Sequence, residues 1–189
     1  MFAFSFPQTF FCQNKQLDSL KLALKNTKND SVKCIILDVL AETASDEEWP
    51  TFNEALKDLA EIRSATASAS QKNYYLKYFS TALNNCGVLS ENKGDLAKAL
   101  EFYQKSLAIK EKLGGSLAET LNNMAGIYEK QGYVNEALEM FQRSLKIYKD
   151  KDDKKGIGYL LNNIANIYLS QGRIKEALDY YDQSFKVQN

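Results

Sequence analysis

From Leu83 onward, apolar residues recur every three or four positions, the period of a helix with one buried face. The pattern is written three times: LNNCGVLSENKGDLAKALEFYQKSL from Leu83, LNNMAGIYEKQGYVNEALEMFQRSL from Leu121 and LNNIANIYLSQGRIKEALDYYDQSF from Leu161. The copies align over 25 residues without a gap and begin 38 and then 40 residues apart. The difference falls in the connectors, which hold Gly114-Gly115 in one case and the charged run KDKDDKK (149–155) in the other. Within each copy a glycine (Gly94, Gly132 or Gly172) separates two periodic halves. That spacing predicts a helix, a tight turn through a left-handed residue, and a second helix. In the second helix the pairs Ala99/Tyr103, Ala137/Phe141 and Ala177/Tyr181 put a small residue beside a ring, a pattern for close helix packing.

The chain before Leu83 is less regular. Residues 18–26 read as a helix with Leu17, Leu20 and Leu24 on one face. Asp30 is expected to cap a second helix through Val32, Ile35, Ile36, Val39 and Leu40. Two capping boxes compete ahead of the third, Ser45/Glu48 and Thr51/Glu54. Pro50 favours a helix from about that residue to Ser64. SATASAS (64–70) reads as a polar linker, and a helix resumes at Tyr74 and runs into the first copy. Residues 30–64 thus suggest a degenerate helical pair without the glycine.

Composition narrows the chemistry. Only two prolines occur, Pro7 and Pro50, which suits long helices after residue 51. Lys plus Arg equals Asp plus Glu, so no basic excess marks a nucleic-acid binder. Histidine is absent, which removes the commonest general base and metal ligand. Cys12, Cys34 and Cys86 form no CxxC pair, and Cys34 and Cys86 read as small apolar filler. The expectation is a non-enzyme with no metal and no cofactor. Residues 1–13 are apolar and Phe-rich but too short for a membrane span, which takes about 20 residues. They read as an apolar strip or the remnant of an export signal, so the location is cytoplasmic, or periplasmic in the second case. Trp49 reads as core, and Asp46 to Glu48 as charges placed at a helix N-terminus.

On these residues the second half resembles the tetratricopeptide repeat family. The first-helix pattern of a bulky residue, a Leu-Gly-like pair and Tyr is met by Leu121, Met124-Ala125 and Tyr128, and by Leu161, Ile164-Ala165 and Tyr168. Leu83, Cys86-Gly87 and Ser90 match it less fully. Leu stands for the family's Trp, the terminal Pro is missing, and the period exceeds the usual ~34 residues. Longer periods resemble a subgroup that includes kinesin light chains and bacterial peptide-sensing regulators. The resemblance implies an all-α fold, a right-handed superhelical solenoid of antiparallel helix pairs. Its divisions would be 1–13, a helical region 14–69, and repeats at 70–113, 114–150 and 151–189. Asn189 follows directly on the second helix of the third copy, with no capping helix after it, which suggests a fragment of a longer chain.

Helix geometry locates the repeated asparagines. With Leu121 at zero, Asn122 and Asn123 fall at about 100° and 200°, opposite the apolar face of Met124, Ala125 and Tyr128. The resemblance places that outer face on a concave groove, where Asn85, Asn123 and Asn163 would form a ladder flanked by Asn84, Asn122 and Asn162. An amide offers donors and an acceptor and can pair with a peptide backbone. Glu119, Lys130, Tyr159 and Asn166 would share the surface, with Thr81, Val88, Glu91, Gly126, Glu129 and Ser170 beside them. The other reading has the amides bridge adjacent repeats. The partner expected is a protein or peptide ligand held by an interaction scaffold, with no nucleic acid and no membrane contact by the repeats. The resemblance also implies a sensory or regulatory place in a larger bacterial signalling protein. The alternative is self-association through the C-terminal helix.

Overall fold

The computed structural model describes residues 8–188, with side chains from Lys15 onward. Residues 1–7 of the apolar strip, and the export-signal reading that rests on them, lie outside the described residues. The described chain is all α-helical: α1 (Gln8–Asn26), α2 (Asp30–Thr43), α3 (Trp49–Thr66), α4 (Ala69–Asn92), α5 (Leu96–Leu113), α6 (Ala118–Lys130), α7 (Val134–Asp150), α8 (Lys154–Ser170) and α9 (Ile174–Gln188). It divides into two compact units, Met1–Leu89 and Ser90–Asn189.

In the first unit α2 packs on α1 and α3. Cys34, Leu37, Leu56, Ala60, Tyr75, Tyr78 and Ala82 make its core. The cap of α2 is Asn29, not Asp30. The Asn29 amide oxygen accepts from the Ser31 and Val32 amides, filling two of the donors that every helix start leaves open. Asp30 is instead the first helical residue, paired with Lys33 at 3.2 Å and with Arg63 of α3. Neither expected capping box shapes α3. Its N-cap, Glu48, makes no side-chain cap bond, and Pro50 occupies the first turn, where its missing N–H costs nothing. The expected linker at 64–70 is mostly helix: α3 runs to Thr66 and α4 starts at Ala69, leaving two residues between them. Ser64 and Thr66 turn their hydroxyls back onto the Glu61 and Ile62 carbonyls, which lets polar residues sit within a helical end. Cys34 and Cys86 are free and buried, and burial pushes the Cys34 thiol up to about 11.

The second unit holds two complete helical hairpins, α6–α7 and α8–α9, with α8 packed on α7. Each turn runs through a glycine in the left-handed region, Gly132 at φ 82° and Gly172 at φ 73°. At neither would an added Cβ meet a neighbour, so conformation alone selects glycine there. The core joins Ala125, Ala137, Phe141 and Leu145 to Ile157, Leu160, Leu161, Ile164 and Ile167. Burying a ring such as Phe141 contributes about 2–3 kcal/mol. One repeated polar residue also belongs to the interior. Ser144 donates to the Ala118 carbonyl at 2.7 Å, and Ser184 donates to the Gly158 carbonyl at 2.8 Å. Each hydroxyl ties the second helix of a hairpin to the start of its first, and satisfies a polar group that would be costly buried alone.

Candidate functional site

A groove of about 230 Å³ opens along α6 in the second unit. Its lining is Glu91, Asn122, Asn123, Gly126, Glu129 and Lys130, with Phe141 from α7 and Tyr159 and Asn163 from α8. The angular spacing explains the α6 contribution. Positions one, two, five, eight and nine after Leu121 turn away from the buried Leu121, Met124 and Ala125.

Three amides form a chain along this surface. Asn163 donates through Nδ2 to Asn122 Oδ1 at 3.0 Å, and Asn122 donates to Asn123 Oδ1 at 3.3 Å. The link from Asn163 to Asn122 joins two successive repeats, so the amides do bridge helices. They also stay half-exposed along the groove. A second cluster lies on the same wall. Lys130 pairs with Glu91 at 2.6 Å, and the buried Tyr103 hydroxyl donates to the other oxygen of that carboxylate at 3.1 Å. Burial, with the Glu91 charge behind it, pushes the Tyr103 phenol up, so it remains a donor. Half-burial also pushes Glu129 up, opposed by the Lys130 charge.

Other residues of the expected surface lie elsewhere. Asn166 is exposed and accepts a hydrogen bond from the Tyr181 hydroxyl, outside the groove lining. Glu119 is exposed, and its charge acts on Lys110, whose ammonium donates to Thr120 at 2.9 Å. Asn85 belongs to the first unit and donates to Asn53 Oδ1 at 3.0 Å. Asn84, the flanking residue of that copy, is buried instead of facing outward. Sequence reasoning missed Asn53 and Phe141. Phe141 reads as core and is core, yet it also lines the groove.

Gly126, expected beside this surface, is the one glycine of the lining. It sits mid-helix, where glycine costs roughly 0.5–1 kcal/mol relative to alanine. An added Cβ there would meet nothing within 4 Å. By contrast, a Cβ at Gly156 would press on the Tyr148 ring and one at Gly158 on Gln188. Packing accounts for those two glycines and does not account for Gly126.

Among the described residues, no three His, Cys, Asp or Glu side chains are grouped to hold a metal ion, and no helix is long and apolar enough to cross a membrane. Among curated proteins none matches the chain significantly. A family model described as tetratricopeptide repeat matches residues 78–150 and 116–189, together more than half of the chain. Several solved structures share the fold. BtubC (BKLC) from P. vanneervenii is 18% identical with a TM-score of 0.64, over 96% of this chain and 75% of that one. Aspartyl phosphate phosphatase F from Bacillus subtilis is 16% identical with a TM-score of 0.75, over 94% of this chain. The match spans about half, 49%, of that phosphatase. The nearly identical TPR-like repeats of a kinesin light chain candidate from Podosopora anserina are 16% identical with a TM-score of 0.58, over 96% of this chain and 89% of that one.

Proposed function

The chain belongs to the tetratricopeptide repeat family, and on that footing we propose that its second unit binds an extended peptide in the groove along α6. The family is one of protein-interaction scaffolds and is generally non-catalytic, so the coarse function is protein binding. The observation that carries the finer reading is Gly126. A helix bears the cost of a glycine there, no neighbour needs the space, and the space lies in a groove lined by amides. A peptide backbone fits those amides because each can donate to a carbonyl or accept from an N–H. Asn123 accepts from Asn122 and keeps donor capacity toward the groove. The regulatory role in a larger bacterial signalling protein is proposed with it, supported by the long-period repeats; an effector domain in the complete reading frame would test that extension.

The groove reading is tested by titrating the whole chain with a mixture of acetylated random decapeptide amides. The side-chain amide signals of Asn122, Asn123 and Asn163 are expected to shift. Gly126→Leu, which fills the groove, is expected to abolish those shifts while the chain stays folded. Unchanged shifts in that variant would overturn the reading.

A second reading, self-association through α9, has its own support. Ile174, Leu178 and Phe185 are 59%, 62% and 69% exposed, while their α7 counterparts Val134, Leu138 and Leu145 belong to the core or pack against it. Leu178→Lys should then lower the mass seen by light scattering across a dilution series. A mass independent of both concentration and that substitution excludes this reading.

A further inference from the structure

The three copies place a glutamate at the same point twice, Glu91 and Glu129, and a leucine, Leu169, the third time. The first glutamate has two partners. Lys130, from the following copy, pairs with one oxygen at 2.6 Å, and Tyr103, from its own second helix, donates to the other at 3.1 Å. Both partners are missing for Glu129. The position equivalent to Lys130 is Ser170, whose hydroxyl is turned onto the Ile167 carbonyl at 2.8 Å. The position equivalent to Tyr103 is Phe141, which has no hydroxyl. The Glu129 carboxylate therefore makes no hydrogen bond or ion pair among the described residues, although it lines the groove and is half-buried.

A half-buried carboxylate without a hydrogen-bond or ion-pair partner loses hydration, and the charge that offsets this, the Lys130 ammonium, is already paired with Glu91. Two independent replacements, of a lysine and of a tyrosine, leave this one without a direct partner. The rest of the wall suits a cation carried on a flexible stem. Tyr159, 57% exposed, puts an aromatic side chain in the lining beside the apolar Phe141, while the only lysine of the lining is spent on Glu91. One carboxylate is too few for a bound divalent ion, which takes several oxygen ligands.

We propose that Glu129 receives a lysine or arginine side chain of the bound peptide, so that the groove selects a basic residue between flanking backbone contacts to the amides. This rests on the peptide-binding reading above and adds the chemistry of its ligand. It also gives the repeated glutamate two roles. At Glu91 the carboxylate is a structural tie between repeats, and at Glu129 the same position is left for a partner to complete.

The test uses the whole chain, isotope-labelled, and five-residue acetylated amides: Ser-Ala-Lys-Ala-Ser, the same peptide with norleucine for Lys, and one with Glu for Lys. An unacetylated norleucine peptide supplies a free terminal ammonium. Shifts of the Asn123 and Asn163 side-chain amides report binding. The lysine peptide should bind roughly fivefold to tenfold more tightly than the norleucine peptide, the size of a partly buried charge-assisted contact, and the glutamate peptide most weakly. That preference should vanish in Glu129→Gln. It should vanish as well in Ser170→Lys, an exposed-site change that supplies Glu129 with the partner Glu91 already has. Equal binding of the lysine and norleucine peptides, or a preference that survives both variants, overturns the proposal and leaves the groove reading standing. A gain confined to the unacetylated peptide overturns the side-chain assignment. Failure of every peptide to shift the amides overturns the groove reading and this inference with it.

Discussion

The tetrapeptide Asn-Glu-Ala-Leu occurs once in each unit, at Asn53–Leu56 in α3 and at Asn135–Leu138 in α7. Both copies are helical, and their environments are inverted. Asn53 and Leu56 are wholly buried while Ala55 is exposed; in α7 it is Ala137 that is wholly buried, Leu138 is half-buried and Asn135 is exposed. Identical local sequence fixed the helix and left open which way it rolled. The rolling follows from neighbours. Ala137 and Phe141 pack on the core shared with α8, whereas Leu56 and Ala60 pack against the tyrosine-rich start of α4. The repeated asparagines part in the same manner. In the first unit Asn84 is buried and half-exposed Asn85 donates to buried Asn53, which in turn donates to the Ala82 carbonyl at 3.1 Å and lies 3.4 Å from Cys86 Sγ. In the second unit the amide chain from Asn163 to Asn123 runs along an open groove.

The sharpest way to break that contrast is Asn53→Ala. It leaves buried groups unpaired and should cost about 2–3 kcal/mol in a urea titration, against less than about 1 kcal/mol for Asn163→Ala in the half-exposed chain. Equal losses would mean that the two networks are structurally equivalent.

Acidic side chains extend the comparison. Burial, with Glu42 adding to it and Lys77 opposing, pushes Asp38 of the first unit up to about 6, and its Oδ1 is buried without a partner among the described residues. The folded state therefore holds a proton that the unfolded chain releases near its ordinary value of 3.8. Stability should fall as pH rises from about 4 to about 6 and then level off. Discounted for partial exposure, Asp38→Asn should recover about 1 kcal/mol at pH 7 and close to nothing at pH 4. A pH-independent gain would assign the effect to packing.

Gly126→Ala sharpens the groove's side. It should stabilise the chain by roughly 0.5–1 kcal/mol, because helix propensity improves and no neighbour is displaced. A loss of stability would show that the space is structurally required. The smallest effect belongs to Asn123→Ala, expected within about 0.5 kcal/mol of the parent in thermal melts while peptide-induced shifts of Asn163 weaken. A larger fall would move Asn123 from the binding surface to the scaffold.

Much of the second half was legible in the residues. Apolar spacing marked α6 to α9, the glycines at 94, 132 and 172 marked the turns, and counting angles turned Asn122 and Asn123 away from the core. These are local properties, and a helix period or a left-handed turn is set by the residues within one or two turns of chain. The first half was harder because its signals competed. Asn29 and Asp30 are equally good caps by type, and serine-rich 64–70 reads as linker until its hydroxyls find carbonyls of their own helix. The groove was only half legible. Its outward face followed from periodicity, but Phe141, the bond from Asn163 to Asn122 and the separate setting of Glu119 and Asn166 depend on how successive helices pack.

The sequence by itself determined the helices, their turns and the three-fold repetition, because each arises from contacts a few residues apart. Tertiary structure alone decided which asparagine is buried and which stays open, and that Lys130 of one copy reaches Glu91 of the copy before it. Those outcomes rest on side chains tens of residues apart, whose meeting depends on the roll and stacking of whole helices.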